Sequence, residues 1–483
     1  MHNIIRSLIK GIAPLLMGLS LVLRITPTTS CTIQTGVLYV APTAQGSGDC
    51  SGWANACTLQ HALSIAVDCN EIWAQSGVHK PATDPADRAA TFTLKNDVAL
   101  YGGFAGTETQ RDQRNWQANL TVLSGDIDNN DITNLNGVVT DTANIQGNNS
   151  YHVVTSSETD NTAALDGVII TAGQANSSLD WLDTCGGGMY NERQGSPMLS
   201  HIVFSGNTAG FCGGGMVNFA GNPTLIDVTF SSNMAYSGGG IFTIGGSPTL
   251  VKTNIDGNTA TEDGGGMYND TGSSPTLTNV IFSNNTAGQE GGGIYNSAVY
   301  SSTLTGVVFM HNVANFGGGI YNEGSSITLT NVTFNSNVAN TGGGMCNDYR
   351  SNPTLTNCIL WGNTASSSGP QIYDGGVSNA TVTYSDVQGG YSGIGNINAD
   401  PLFVDATNGD LRLQEISPAI DAGNNAAVPA VVIFDLDGEP RFVDVLSIPD
   451  TGNGTPPIVD IGAYEVWVVS CYVFVPLVSR NAP

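Results

Sequence analysis

From Leu165 to Asn363 apolar and polar residues alternate in short bursts, and the bursts recur in a fixed order. The unit at residues 264–290 reads GGGMYNDTGSSPTLTNVIFSNNTAGQE. Its segments GMYN, PTLTN and VIFSN alternate with period two and are bounded by Gly, Pro, Ser or Asn, which predicts three short strands. Alternation places Met267, Leu277, Val280 and Phe282 on one side. Leu225, Val228 and Phe230, then Leu304, Val307 and Phe309, then Leu329, Val332 and Phe334 occupy the same slots in other units. One unit alone has an apolar face and nothing to bury it against. Stacked units, with strands about 4.8 Å apart, bury it in columns. The pattern predicts an all-β parallel β-helix of about 26 residues per turn.

Three motifs keep this register. Triple glycines start at Gly186, Gly213, Gly238, Gly264, Gly291, Gly317 and Gly342, at spacings of 27, 25, 26, 27, 26 and 25 residues. Phe-x-x-Asn recurs at Phe204/Asn207, Phe230/Asn233, Phe282/Asn285, Phe309/Asn312 and Phe334/Asn337, with Ile255/Asn258 and Leu360/Asn363 in the same slot. Pro-Thr-Leu begins at Pro223, Pro248, Pro275 and Pro353. The glycines suit a sharp corner with positive φ, and the asparagines suit turns whose amides bond along the stack. A phosphate-binding loop needs a Lys after its glycines. None of the seven has one.

The edges break the period. In Thr58–Val67, TLQHALSIAV, apolar residues 59, 62, 63, 66 and 67 form one helical face behind an N-capping Thr58, which predicts a short helix covering the open end of the coil. VLYVA at 37–41 and EIWAQ at 71–75 read as early strands, and Leu165, Val168 and Ile170 already follow the repeat. QIYDGG and ATVTYSDV read as a degenerate last turn, followed by closing strands and hairpins that cap the far end. The division is an export signal at 1–30, a cap and first coils at 31–164, repeats at 165–400, and closing strands with a tail at 401–483.

Composition narrows the partners. Only 11% of residues are charged, yet the net charge is −26. Between Cys185 and Asp400 the only Lys or Arg residues are Arg193, Lys252 and Arg350, so nucleic acid is excluded as a partner. Arg6 and Lys10 precede the apolar run Gly11–Leu23, the layout of an export signal. That run is short for a membrane span. The apolar stretch Val466–Val478, interrupted by Ser470 and Pro476, reads as strands, so no transmembrane helix is expected in the mature chain. Nine cysteines in an exported chain favour disulfides. The pairing of Cys31, Cys50, Cys57, Cys69 and Cys471 stays open.

The paired GGG-[Met/Ile] and Phe-x-x-Asn motifs, over residues 165 to 365, resemble the repeats of polymorphic outer membrane proteins. SPAIDAG at 417–423 and DIGAYE at 460–465 look like the C-terminal ends of exported bacterial choice-of-anchor β-helix proteins. The resemblance implies a right-handed parallel β-helix, secreted or associated with a bacterial cell surface or outer membrane, with an adhesive role. Polymorphic outer membrane proteins end in a large translocating β-barrel, for which residues 401–483 are too few.

Candidate chemistry follows from the register. Acidic-polysaccharide lyases on this fold need a basic residue beside a Ca²⁺-binding acidic cluster, and galacturonan hydrolases carry Gly-His-Gly and Arg-Ile-Lys motifs; the two motifs are absent. Acidic residues in the repeats are scattered, and His201 and His311 lie in separate turns with no matched partner in view. Closely spaced carboxylates at Asp126, Asp128 and Asp131 are the candidate Ca²⁺ ligands, ahead of Asp435, Asp437 and Glu439. No other cofactor is expected. Tyr190, Val217, Phe242, Tyr268, Tyr295, Tyr321 and Cys346 share one outward slot, expected to staple turns together rather than stack on sugars. Cys185 and Cys212 each precede a triple glycine, so stacking brings them within disulfide reach. Cys358, in an inward slot, is expected to be a buried, inert thiol. The reading is a binding, adhesin-like or structural surface protein whose partner is a polysaccharide or another cell-surface ligand. The alternative is a carbohydrate-active enzyme on the same fold.

Overall fold

The computed structural model describes residues 36–467 except Tyr300. The export signal, Cys31, Cys471 and most of the stretch Val466–Val478 lie outside the described residues. The chain winds into a right-handed parallel β-helix of about 12 turns. Strands such as Met267–Asp270 form a ten-stranded sheet, here the ring sheet. Strands such as Thr276–Thr278 form a twelve-stranded leucine sheet. Strands such as Ile281–Ser283 form an eleven-stranded Phe sheet. The coil already begins at Gly36–Val40, the first strand of the leucine sheet. Five consecutive turns also carry a fourth, two-residue strand that alternation did not predict, such as Thr286–Ala287, and these stack as an alanine ladder.

The triple glycine does two jobs. Gly264 has φ +68°, the left-handed corner. At Gly265 a Cβ would sit 2.6 Å from the carbonyl oxygens of Gly292 and Thr286, so the second glycine is there for close approach between turns. Inside, Phe204 stacks on Phe230 at 4.6 Å, and Phe282, Phe309 and Phe334 stack at 4.9 and 4.8 Å. Ile255 interrupts the column between them.

Buried asparagines satisfy the corners. Asn233 donates to Asn258, Asn258 to Asn285, Asn285 to Asn312 and Asn312 to Asn337, at 2.9 to 3.0 Å. A second ladder runs along the ring sheet from Asn269 through Asn296 and Asn322 to Asn347. Thr243 interrupts it between Asn218 and Asn269. The Thr243 hydroxyl and the Asn269 carbonyl oxygen are left buried without partners. Thr243→Asn should close this gap and raise stability by about 1 kcal/mol, read as a higher urea midpoint with unchanged slope. A lower midpoint would mean the larger amide does not fit.

At the near end the helix Leu59–Ile65, N-capped by Thr58, buries Leu59, Ala62 and Leu63 over the first coil, while Val67 is exposed. Cys50–Cys57 braces this cap, and Cys69 is also disulfide-bonded. At the far end Tyr391 packs on the last coil and donates to Asp374 at 2.9 Å.

The described part of the C-terminal segment carries a closing hairpin, Phe403–Asp405 with Asp410–Leu413, but does not cap the far end; it otherwise runs as irregular chain back along the outside of the Phe sheet. We call it the strap. Its docking partners include corner residues of three turns. Asn279 donates to the Asp435 carbonyl at 2.8 Å, Asn331 to the Asp460 carbonyl at 2.9 Å, and Asn357 to the Asn424 carbonyl at 3.1 Å. Outward apolar residues Ile281, Val308 and Ile359 lie beneath it. A buried ionic cluster holds the strap itself together. Arg441 is fully buried, 3.9 Å from Glu465, and donates to the carbonyls of Gly462 and Ala463. Asp435 and Asp460 each accept two backbone amides.

Candidate binding face

The outward slot of the ring sheet is a stack from Tyr190 to Tyr373. Phe242, Tyr268, Tyr295 and Tyr321 lie ring on ring at 4.8, 4.5 and 5.5 Å. Their faces cover one another, and Tyr295 and Tyr321 are only 5% and 4% exposed. No face is left for a ligand, so this ladder staples turns. Carboxylates border it. Tyr295 donates to Glu323 at 2.5 Å. Burial beside neighbouring acids pushes Asp263 up to about 6 and Glu290 up to about 7.

Open aromatic faces occur at a different corner. Residues 176–184, which follow the short strand Gln174–Ala175, loop outward. Ser177 Oγ accepts the amides of Leu179 and Asp180, and the turn lifts Trp181 into solvent, 63% exposed. In the adjacent turn Phe211 is 51% exposed and stacks at 5.9 Å on Tyr236, itself 43% exposed. Trp181 and Phe211, with Asn176, Ser177, Thr184 and Gly210, line an open cleft of about 660 Å³. Arg88 fixes the amide of Asn176 at 2.6 Å. The Cys185–Cys212 disulfide, Cα–Cα 4.5 Å, joins the two walls, since Cys185 follows Thr184 and Cys212 follows Phe211. The Phe211 amide also donates to the Thr184 carbonyl at 2.9 Å. A crosslink closing a loop of this length contributes about 3 kcal/mol and removes play between the walls. Cysteine register marked the brace in the sequence. The cleft was not seen there, because its aromatics lie in a loop and in exposed slots that carry no periodic signal.

The acidic run at Asp126, Asp128 and Asp131 organises its own loop. Asp126 accepts from Lys80 and the Asn130 amide, Asp128 from the Asn148 amide and the Asn130 side chain, and Asp131 from the Gln146 amide and the Asn149 side chain. Protein donors thus occupy five of the six carboxylate oxygens, and Asp128 Oδ1 is buried without one. Burial raises the Asp131 pKa. Asp435 is a strap residue bonded to the amides of Glu439 and Glu465.

His201 does have partners, contrary to the sequence reading. It lies 3.0 Å from Asp166 and 3.8 Å from Asp227, and Arg114 also reaches Asp166 at 2.8 Å. These residues come from neighbouring turns. The Asp166 hydrogen bond raises the His201 pKa. Cys358 is fully buried, its thiol pushed up to about 12 by desolvation, and inert on that account.

Residues 279–297, which contain Phe282-x-x-Asn285 and Gly291–Gly293, match the Chlamydia polymorphic membrane protein repeat. No curated protein matches the chain. Among solved structures the chain is similar to the pectate lyase Pel9A, at 14% identity and TM-score 0.50, covering 90% of this chain and 97% of that one. A polygalacturonase from Erwinia carotovora ssp. carotovora matches at 12% identity and TM-score 0.31, covering 75% of this chain and 96% of that one. Tailspike protein 3 of bacteriophage CBA120 matches at 12% and 0.29, covering 75% and 60%. The chain thus has the parallel β-helix fold seen in Pel9A, and residues 279–297 match the polymorphic membrane protein repeat.

Proposed function

We propose that the chain is an exported surface protein that binds neutral carbohydrate in the Trp181–Phe211 cleft. The observation that carries this is an open pair of aromatic faces with an amide and hydroxyl rim, held on a rigid disulfide-braced frame. Aromatic rings with exposed faces cover the apolar face of a sugar, and fixed polar groups select its orientation. The charge of −26 repels polyanions, which points to a neutral polymer. In affinity electrophoresis through neutral polysaccharides, the wild type should be retarded. Trp181→Ala should lose about tenfold or more in affinity, as anchoring aromatics do, with its melting temperature unchanged. Equal retardation of both proteins would sink the reading.

The rival reading is an enzyme acting on polysaccharide, favoured by His201 seated between Asp166 and Asp227. It predicts new reducing or unsaturated ends that disappear in His201→Ala.

A further inference from the structure

The strap turn Ser417–Gly423, SPAIDAG, turns Asp421 inward. Its backbone adopts φ 51°. Asp460 accepts its amide at 2.8 Å, and the amides of Thr451 and Gly452 donate to its carbonyl at 2.9 and 3.0 Å. Those contacts hold the loop 444–452 against the turn and bring in Asp444 and Asp450. One carboxylate oxygen from each of the three lies within 4.8 Å of the others. No other group of three or more His, Cys, Asp or Glu side chains among the described residues meets that distance.

Asp421 is fully buried, and neither of its carboxylate oxygens has a hydrogen-bond partner. The Val445 amide lies nearby without completing a hydrogen bond. Among the described residues, no Lys, Arg or His pairs with any of the three aspartates. The strap's other buried carboxylates are satisfied: Asp435, Asp460 and Glu465 each accept two amides. A donor is therefore missing at Asp421 specifically. A buried carboxylate without donors, next to two more negative charges, is unfavourable until a cation completes it.

We infer that Asp421, Asp444 and Asp450 form a Ca²⁺ site that pins the loop 444–452 of the strap. The donors are oxygen alone, which selects a hard cation over zinc or copper. Two of the three ligands are exposed and adjustable, which suits the large, variable shell of Ca²⁺ better than the rigid octahedron of Mg²⁺.

The test uses the full chain, stripped with EGTA and titrated with Ca²⁺ by calorimetry beside the double variant Asp444→Asn/Asp450→Asn, whose changes are exposed. The wild type should bind one Ca²⁺ at this site, and the ion should slow proteolysis within 444–452. The double variant should bind at least about tenfold more weakly, because ligand charge sets affinity. Stripped, it should melt no lower than the stripped wild type, since like charges have been removed. The proposal is overturned by absence of saturable binding, by binding that survives in the double variant, or by binding lost instead in Asp126→Asn/Asp128→Asn. Equal protection by Mg²⁺ at the same concentration overturns it too, as does a stripped double variant that melts lower than the stripped wild type.

Discussion

Deleting residues 238–263 should remove one turn and leave the coil folded. The cut joins Ser237 to Gly264, which takes the slot that Gly238 held. It also removes the two faults in the internal ladders, Ile255 and Thr243. Phe230 then faces Phe282, and Asn218 faces Asn269, because each pair flanks the deleted turn in register. In a solenoid, stability is close to a sum over neighbouring interfaces, so the loss is limited to about one turn and is offset in part by the healed stacks. Deleting only 238–250 removes half a turn. Every residue downstream is then carried to the wrong side of the coil, and the apolar columns no longer meet. Circular dichroism and urea unfolding should show a cooperative β protein for the first deletion and an aggregated or unfolded chain for the second. Similar behaviour of the two would mean that the turn is not the unit of folding.

Arg441→Met should undock the strap while the coil remains. Among the described residues the guanidinium is the one basic group beside the buried carboxyls of Asp435, Asp460 and Glu465. Leaving such carboxylates uncompensated costs about 3–5 kcal/mol. The loss should depend on pH. Burial raises Asp460 to about 7 and Glu465 well above the usual range. Both therefore bind protons more tightly when folded than the unfolded carboxyls do at about 4. Their contribution is present in full below about pH 4 and is lost as pH rises through the folded values. The variant lacks the opposing positive charge, so it should fall further behind the wild type between pH 5 and pH 8. Hydrogen exchange would localise the effect: amides at 421–466 should lose protection and those at 264–345 should not. Uniform loss across the coil would show that strap and coil unfold together.

The coil was legible because its physics repeats. Gly, Phe and Asn return to the same slot in every turn, and a register error would misplace all of them at once. The fourth ladder escaped because two residues, as at Thr286–Ala287, are too few to show alternation. The strap escaped for a different reason. Its footprint lies on outward positions, where Ile281, Val308 and Ile359 replace the Thr229 and Asn254 of earlier turns. Any signal lies along one outward column rather than within a turn, and it is blurred there by Ile169 and Val203 ahead of the strap and by Thr333 beneath it. The same holds for His201, whose partners Asp166 and Asp227 become visible only when corner positions of successive turns are read side by side. Asp421, Asp444 and Asp450 have no such key, because irregular chain brings them together.

The strap has a consequence for how this gene can change over generations. Duplication and loss of whole turns is the easy mutation for a repetitive coding sequence. Upstream of Asn279 such events only lengthen or shorten the rod. Between Asn279 and Asn357 they would move one docking asparagine relative to the next, while the strap's spacing from Asp435 to Asp460 and Asn424 stays fixed. The strap therefore works as a ruler. Relatives should differ in turn number ahead of Asn279 and keep the same count behind it.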